Sequence, residues 1–116
     1  MEIEQGQLYR HDFGPRTNHL QDGPRPVLVV QTDLLNRIEG YPNVVIVPLT
    51  TKQRASATYV KVAPSREDGL TEPSWVIANQ IFTVDKSELR GPIGRVSKSD
   101  IYAVKTALRI TLDLGG

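Results

Sequence analysis

Gly23-Pro24-Arg25-Pro26-Val27-Leu28-Val29-Val30-Gln31 is the stretch of this 116-residue chain that decides how the rest is read. An arginine stands between two prolines and feeds into an unbroken aliphatic run. Each proline fixes its own φ and pushes the residue before it toward extended geometry, so Arg25 is kept out of a helix. The run over residues 26–31 predicts a central strand buried on both faces. Arg25 is thereby held at the mouth of a β-sheet, with a polar loop over residues 14–23 arching in front of it. Its guanidinium is a planar fork of donors that matches a phosphate. A strand-end arginine in a surface ion pair would look the same in these nine residues alone.

Working outward, residues 7–13 alternate polar and apolar and predict a first strand, followed by a long loop with two prolines and two glycines. Residues 33–36 read as one helical turn capped by Thr32 or Asp33. Residues 44–47 predict another buried strand, ended by Pro48, and residues 50–56 a polar, basic loop. Residues 57–62 alternate again, as a half-exposed strand does. Residues 64–73 form a charged turn region. Residues 75–78 and 81–84 read as two short strands around a bend or bulge at Asn79-Gln80. Ser97-Lys98-Ser99-Asp100 matches a capping box, and Ile101, Val104, Leu108 and Leu112 then recur at helical spacing, with Ala107 beside them. The pattern predicts a single domain over residues 1–116 that is mainly β: a small barrel with a C-terminal α-helix. A barrel of this size keeps apolar surface uncovered, so a homodimer is expected.

Composition narrows the function classes. The chain is 39% hydrophobic and 23% charged, as a globular protein is. No apolar run approaches the ~18 residues of a membrane span. The acidic, polar start Met1-Glu2-Ile3-Glu4-Gln5 is unlike a secretory signal, and a cytoplasmic protein is expected. With no cysteine, disulfides, thiolate catalysis and zinc–thiolate sites are excluded together. The net charge of +1 argues against bulk attraction to nucleic acid. Arg10, Arg16, His19, Arg25, Lys52, Arg54, Lys61 and Arg66 nevertheless crowd the first two-thirds, while Glu67, Asp68 and Glu72 gather elsewhere. That distribution suits a short anionic ligand more than a long duplex, although a solvated mixed-charge surface has the same composition.

Three loops bring polar groups to the ends of buried strands. The first carries Asn18, His19, Gln21 and Arg25; the second Thr50, Thr51, Lys52, Gln53 and Arg54; the third Asn79 and Gln80. Amides, hydroxyls and one imidazole around an arginine are what reading a base edge and gripping its phosphate require. Phe13, Pro15 and Phe82 are candidates for an apolar platform under a base. If the ligand is single-stranded RNA, its 2′-hydroxyl is an internal nucleophile and cleavage needs no metal. Arg25 and Thr50 are then candidates to stabilise the phosphorane, and His19 to transfer a proton. The quieter alternatives are a Thr50 hydroxyl bonding its own backbone, a solvated His19 and a Gln80 amide filling a bulge. His11 and His19 lack metal-ligand spacing, and no paired carboxylates occur in these loops, so neither metal nor cofactor is expected.

The blocks Gln7-Leu8-Tyr9, Asp12-Phe13-Gly14-Pro15, residues 21–31, Leu35-Asn36-Arg37, Val47-Pro48-Leu49-Thr50 and Gln80-Ile81-Phe82-Thr83-Val84-Asp85-Lys86 resemble, in order, the MazF/PemK/Kid toxins of bacterial toxin–antitoxin pairs. The resemblance implies a dimeric, SH3-like (CcdB/PemK-type) barrel with helices. It implies sequence-specific, metal-independent cleavage of single-stranded mRNA to a 2′,3′-cyclic phosphate and a 5′-hydroxyl, neutralised by a cognate antitoxin. The catalytic arginine and threonine of the family fall on Arg25 and Thr50, and an RNA-contacting glutamine on Gln21. His19 stands where the Kid branch has a histidine, and Gln80 matches the glutamine of the last block. Thr51, Gln53 and Asn79 lie beside these as expected RNA contacts.

The chain departs from the family pattern at Asn79, where many members have a carboxylate, and at Phe82, where members often have arginine. Two other readings stand beside the ribonuclease. One is a non-catalytic or weakened RNA-binding module of the same fold, motivated by those two positions. The other is a gyrase-poison-like toxin that binds a protein partner. The helix end Thr111-Leu112-Asp113-Leu114-Gly115-Gly116 lacks the terminal tryptophan often found in that group.

Overall fold

A computed structural model of the chain describes residues 2–15 and 23–115. Seven strands and two α-helices follow one another: β1 (Gln7–Asp12), β2 (Pro24–Val29), α1 (Asp33–Asn36), β3 (Asn43–Thr50), β4 (Tyr59–Val62), β5 (Ser74–Ile77), β6 (Phe82–Asp85), β7 (Arg90–Arg95) and α2 (Lys98–Leu112). The strands form one antiparallel sheet in the order β4-β5-β3-β2-β1-β7, with β6 also on β3. The expected mainly-β architecture with a C-terminal helix is present. Among the described residues β4 and β7 are not paired to each other, so the strand path is open rather than a closed ring.

The sheet buries both faces, which explains the unbroken aliphatic run. On one face Tyr9, Val27, Val29, Val44 and Ile46 pack with Ile3, Phe13 and Leu89. On the other, Leu8, Leu28, Val47, Leu49, Val62 and Val76 pack with Val96 and with Val104 of α2. Val27, Leu28 and Val29 point alternately into the two clusters and have no exposure at all. Each such side chain contributes about 1.5–3 kcal/mol through burial. α2 is set by Ser97, whose hydroxyl accepts the Asp100 N–H at 3.1 Å, so the serine half of the predicted box is formed. Thr32, not Asp33, caps α1, accepting from Leu34 N at 3.2 Å.

Two strands differ from expectation for identifiable reasons. β3 does not stop at Pro48 but continues to Thr50. It pairs with β6 as far as Ile46 and with β5 from Leu49, so Pro48 falls between the two partners, where its missing N–H interrupts neither ladder. β4 begins at Tyr59 rather than residue 57. The Ser56 and Thr58 hydroxyls meet at 3.1 Å, and Tyr59 N bonds Ser56 O at 3.2 Å, which turns the chain first. Of the bend or bulge expected at Asn79-Gln80, the bend is formed, as a turn: Gln80 N bonds Ile77 O at 3.2 Å, and the chain leaves β5 to return as β6.

Candidate active site

Arg25 and Thr50 come together through strand register. β2 and β3 pair at Leu28–Val47 and Val27–Pro48, and the ladder ends there. Pro26 has no N–H with which to continue it. Arg25 and Thr50 lie two residues beyond that last pair, each half-buried at the end of its strand. In antiparallel strands residues facing one another share a face, so Arg25 and Thr50 project from the face that carries Tyr9, Val27 and Ile46.

Thr50 does what the quieter alternative foresaw, and leaves room for more. Its hydroxyl oxygen accepts the Lys52 N–H at 3.2 Å, which turns the chain out of β3. A threonine hydroxyl has one proton to give and two lone pairs. The turn uses one lone pair, and among the described residues no acceptor takes the proton.

Beside Thr50 opens a cleft of about 600 Å³. Lys52, Gln53, Arg54 and Ser56 line it from the loop after β3, Tyr59 from β4, and Ile77, Asn79 and Gln80 from the β5–β6 turn. Among the described residues the lining holds two cations and no carboxylate, on a protein whose net charge is only +1. Arg54 lies over the Tyr59 ring at 5.6 Å and Lys61 over the Trp75 ring at 5.8 Å. Trp75 is paired with both Thr50 and Lys61, so these cation–aromatic pairs extend the same face outward. The exposed Asn79 is steadied by a bond from Nδ2 to Thr58 Oγ1 at 3.0 Å. Gln80 is half-buried, and its Oε1 is buried without a hydrogen-bond partner among the described residues.

The remaining sequence candidates are placed differently. Phe13 is a core residue, 9% exposed, its ring against His11 at 4.6 Å and Phe82 at 4.8 Å. Pro15 is exposed at the head of the first loop. Thr51 lines a separate groove with Arg10 and Glu72. His19 and Gln21 lie outside the described residues. Among the described residues no three His, Asp or Glu side chains cluster as a metal would need.

Sequence reading passed over His11 except as a metal ligand, and it passed over Tyr59 and Ser56. His11 is paired with Arg25 across β1 and β2, is only 6% exposed, and has an Nδ1 with no hydrogen-bond partner among the described residues. Only the strand register signals its place beside Arg25.

Comparison with known proteins shows the family of the chain. Residues 4–112 match the model of the PemK-like, MazF-like toxins of type II toxin–antitoxin systems. Endoribonuclease EndoA of Bacillus subtilis is 33% identical over 116 residues, covering 98% of this chain and 97% of that protein. Endoribonuclease MazF1 of Mycobacterium bovis is 37% identical over 109 residues, covering 94% and 91%. A solved endoribonuclease in complex with its cognate antitoxin, from a mycobacterial species, superposes with a TM-score of 0.81 at 35% identity, covering 98% of each chain. With the family model spanning nearly its whole length, this chain belongs to the PemK/MazF toxins of type II toxin–antitoxin systems.

Proposed function

We propose that this protein is an endoribonuclease toxin that cleaves single-stranded RNA at a short recognised sequence, without a metal, and is held inactive by a cognate antitoxin. The observation that carries the reading is the Arg25–Thr50 strand ends beside a cleft lined, among the described residues, by two cations and several amides and hydroxyls. An RNA phosphate seated at the mouth takes the Arg25 fork and the Thr50 hydroxyl proton on its non-bridging oxygens. The 2′-oxygen attacks phosphorus and its proton passes to His19. The bond to the 5′-oxygen breaks, that oxygen takes a proton from water, and a 2′,3′-cyclic phosphate and a 5′-hydroxyl remain. Gln53, Asn79, Gln80 and Gln21 supply amides for base edges, and Lys52 and Arg54 meet flanking phosphates. A homodimer places two such mouths on one particle, and an acidic antitoxin segment fits the cationic rim.

Incubation of a long mixed-sequence RNA in EDTA, beside Arg25→Ala, tests this. Discrete cuts with 5′-hydroxyl ends are expected, absent from the variant and absent when the cut nucleotide is 2′-deoxy. A requirement for added magnesium would overturn the metal-free step. RNA that is bound equally by both proteins and cut by neither would leave an RNA-binding module in place of the enzyme.

A further inference from the structure

His11 is a histidine in a place the fold would fill more easily with an apolar side chain. It lies on the β-face that continues into the hydrophobic cluster of Tyr9, Phe13 and Val27, with its ring edge-on to Phe13 at an interplanar angle of 86°. Burial of a polar nitrogen without a partner is unfavourable, and native structures rarely keep such an atom without a use for it. Here Nδ1 is buried and unpartnered among the described residues, and the residue paired with His11 on the neighbouring strand is Arg25. Paired residues of antiparallel strands have side chains that reach each other on one face. An arginine has five N–H donors and no acceptor of its own. Two of those donors are spent when the fork grips a phosphate, which leaves donors that an acceptor on the protein side can hold.

We propose that His11 is a positioning residue for Arg25, its Nδ1 accepting a guanidinium N–H when the RNA phosphate is bound. The arrangement across the sheet is then His11 on β1, Arg25 on β2 and Thr50 on β3, with the imidazole fixing the fork and the fork and hydroxyl gripping the phosphate. This rests on the ribonuclease reading, and the test separates the two. His11→Phe keeps the ring and its packing while removing the acceptor; His11→Asn restores an acceptor near the position of Nδ1.

Cleavage of a defined RNA by His11→Phe is expected to show kcat lower by roughly ten- to a hundredfold, the scale at which a displaced catalytic group acts, with KM changed far less. His11→Asn should recover a substantial part. The melting temperature of His11→Phe should equal or exceed the wild-type value, because an unmet polar atom has been replaced by carbon. In an Arg25→Ala background the His11→Phe change should have no further effect on affinity for a 2′-deoxy-blocked RNA. Wild-type kcat in His11→Phe would overturn the proposal, as would an undiminished effect in the Arg25→Ala background, which would make His11 a direct RNA contact. Should the wild-type protein cut no RNA, the ribonuclease reading fails first. The same cycle read by affinity for the blocked RNA then decides whether His11 still acts through Arg25.

Discussion

In the proposed reading the Thr50 hydroxyl serves two partners, and the two can be separated experimentally. Its oxygen holds the Lys52 N–H and its proton is available to a phosphate. Thr50→Val keeps the β-branched shape at the end of β3 and removes both interactions. Cleavage is expected to fall by about 10²–10³-fold, as when one donor to a developing oxyanion is lost, while stability changes by no more than about 1 kcal/mol. Thr50→Ser should keep most of the activity. Single-turnover cleavage with thermal melting checks this, and equal losses in both variants would assign the effect to packing instead of the hydroxyl. Arg25 and Thr50 were legible in the sequence because each directly adjoins an aliphatic run whose register the fold preserves. Thr51 was grouped with Thr50 because a loop prediction carries no alternation. Once β3 is seen to end at Thr50, its neighbour turns to the groove of Arg10 and Glu72. His11 was not legible as part of the site, because its nearness to Arg25 depends on pairing across a loop.

At the scale of elements, the strands with continuous apolar runs and the helix with a 3.6-residue stripe were readable, since burial on two faces or on one leaves opposite periodicities. The exchange of partners along β3 was not. Pro48 marks a strand end in most contexts, and only the hand-over from β6 to β5 makes it acceptable inside β3. A second hand-over of space occurs at β7. A Cβ built on Gly94 would stand 2.3 Å from the carbonyl carbon and oxygen of Asp68, so β7 can lie against the Ser65–Gly69 turn only because this position has no side chain. The adjoining Arg95 N bonds Glu67 O at 2.8 Å. Gly94→Ala must push strand and turn apart, at an expected cost of roughly 1–3 kcal/mol, measurable by urea unfolding. An unchanged midpoint would show that the turn yields without loss.

For the molecule as a whole, Asp33 links the N-terminal segment to the end of β2. Its Oδ1 accepts Gln5 N at 2.8 Å and Asn36 Nδ2 at 3.0 Å, and Arg37 lies 3.6 Å from its other oxygen. Burial pushes this carboxyl up, but the Gln5 and Asn36 bonds and the arginine charges outweigh it and hold it below the ordinary aspartate value. A depressed carboxyl contributes stability that is present above the unfolded value of ~3.9 and lost as pH falls through the lower folded value. The acid limb of a pH–stability curve should therefore be shallower below ~pH 4 in Asp33→Asn than in the wild type, and superimposable limbs would show the carboxylate to be idle. Pro26, beside Arg25, has a mechanical consequence. A sheet resists local shear because each ladder bond must break before its strands can part. Pro26 takes a donor out of the lattice next to Arg25, leaving a compliant joint at the rim of a stiff plate. On the mechanism proposed above, the spacing of guanidinium and hydroxyl can follow a phosphate as it becomes a five-coordinate phosphorane, while the cores on either face stay still.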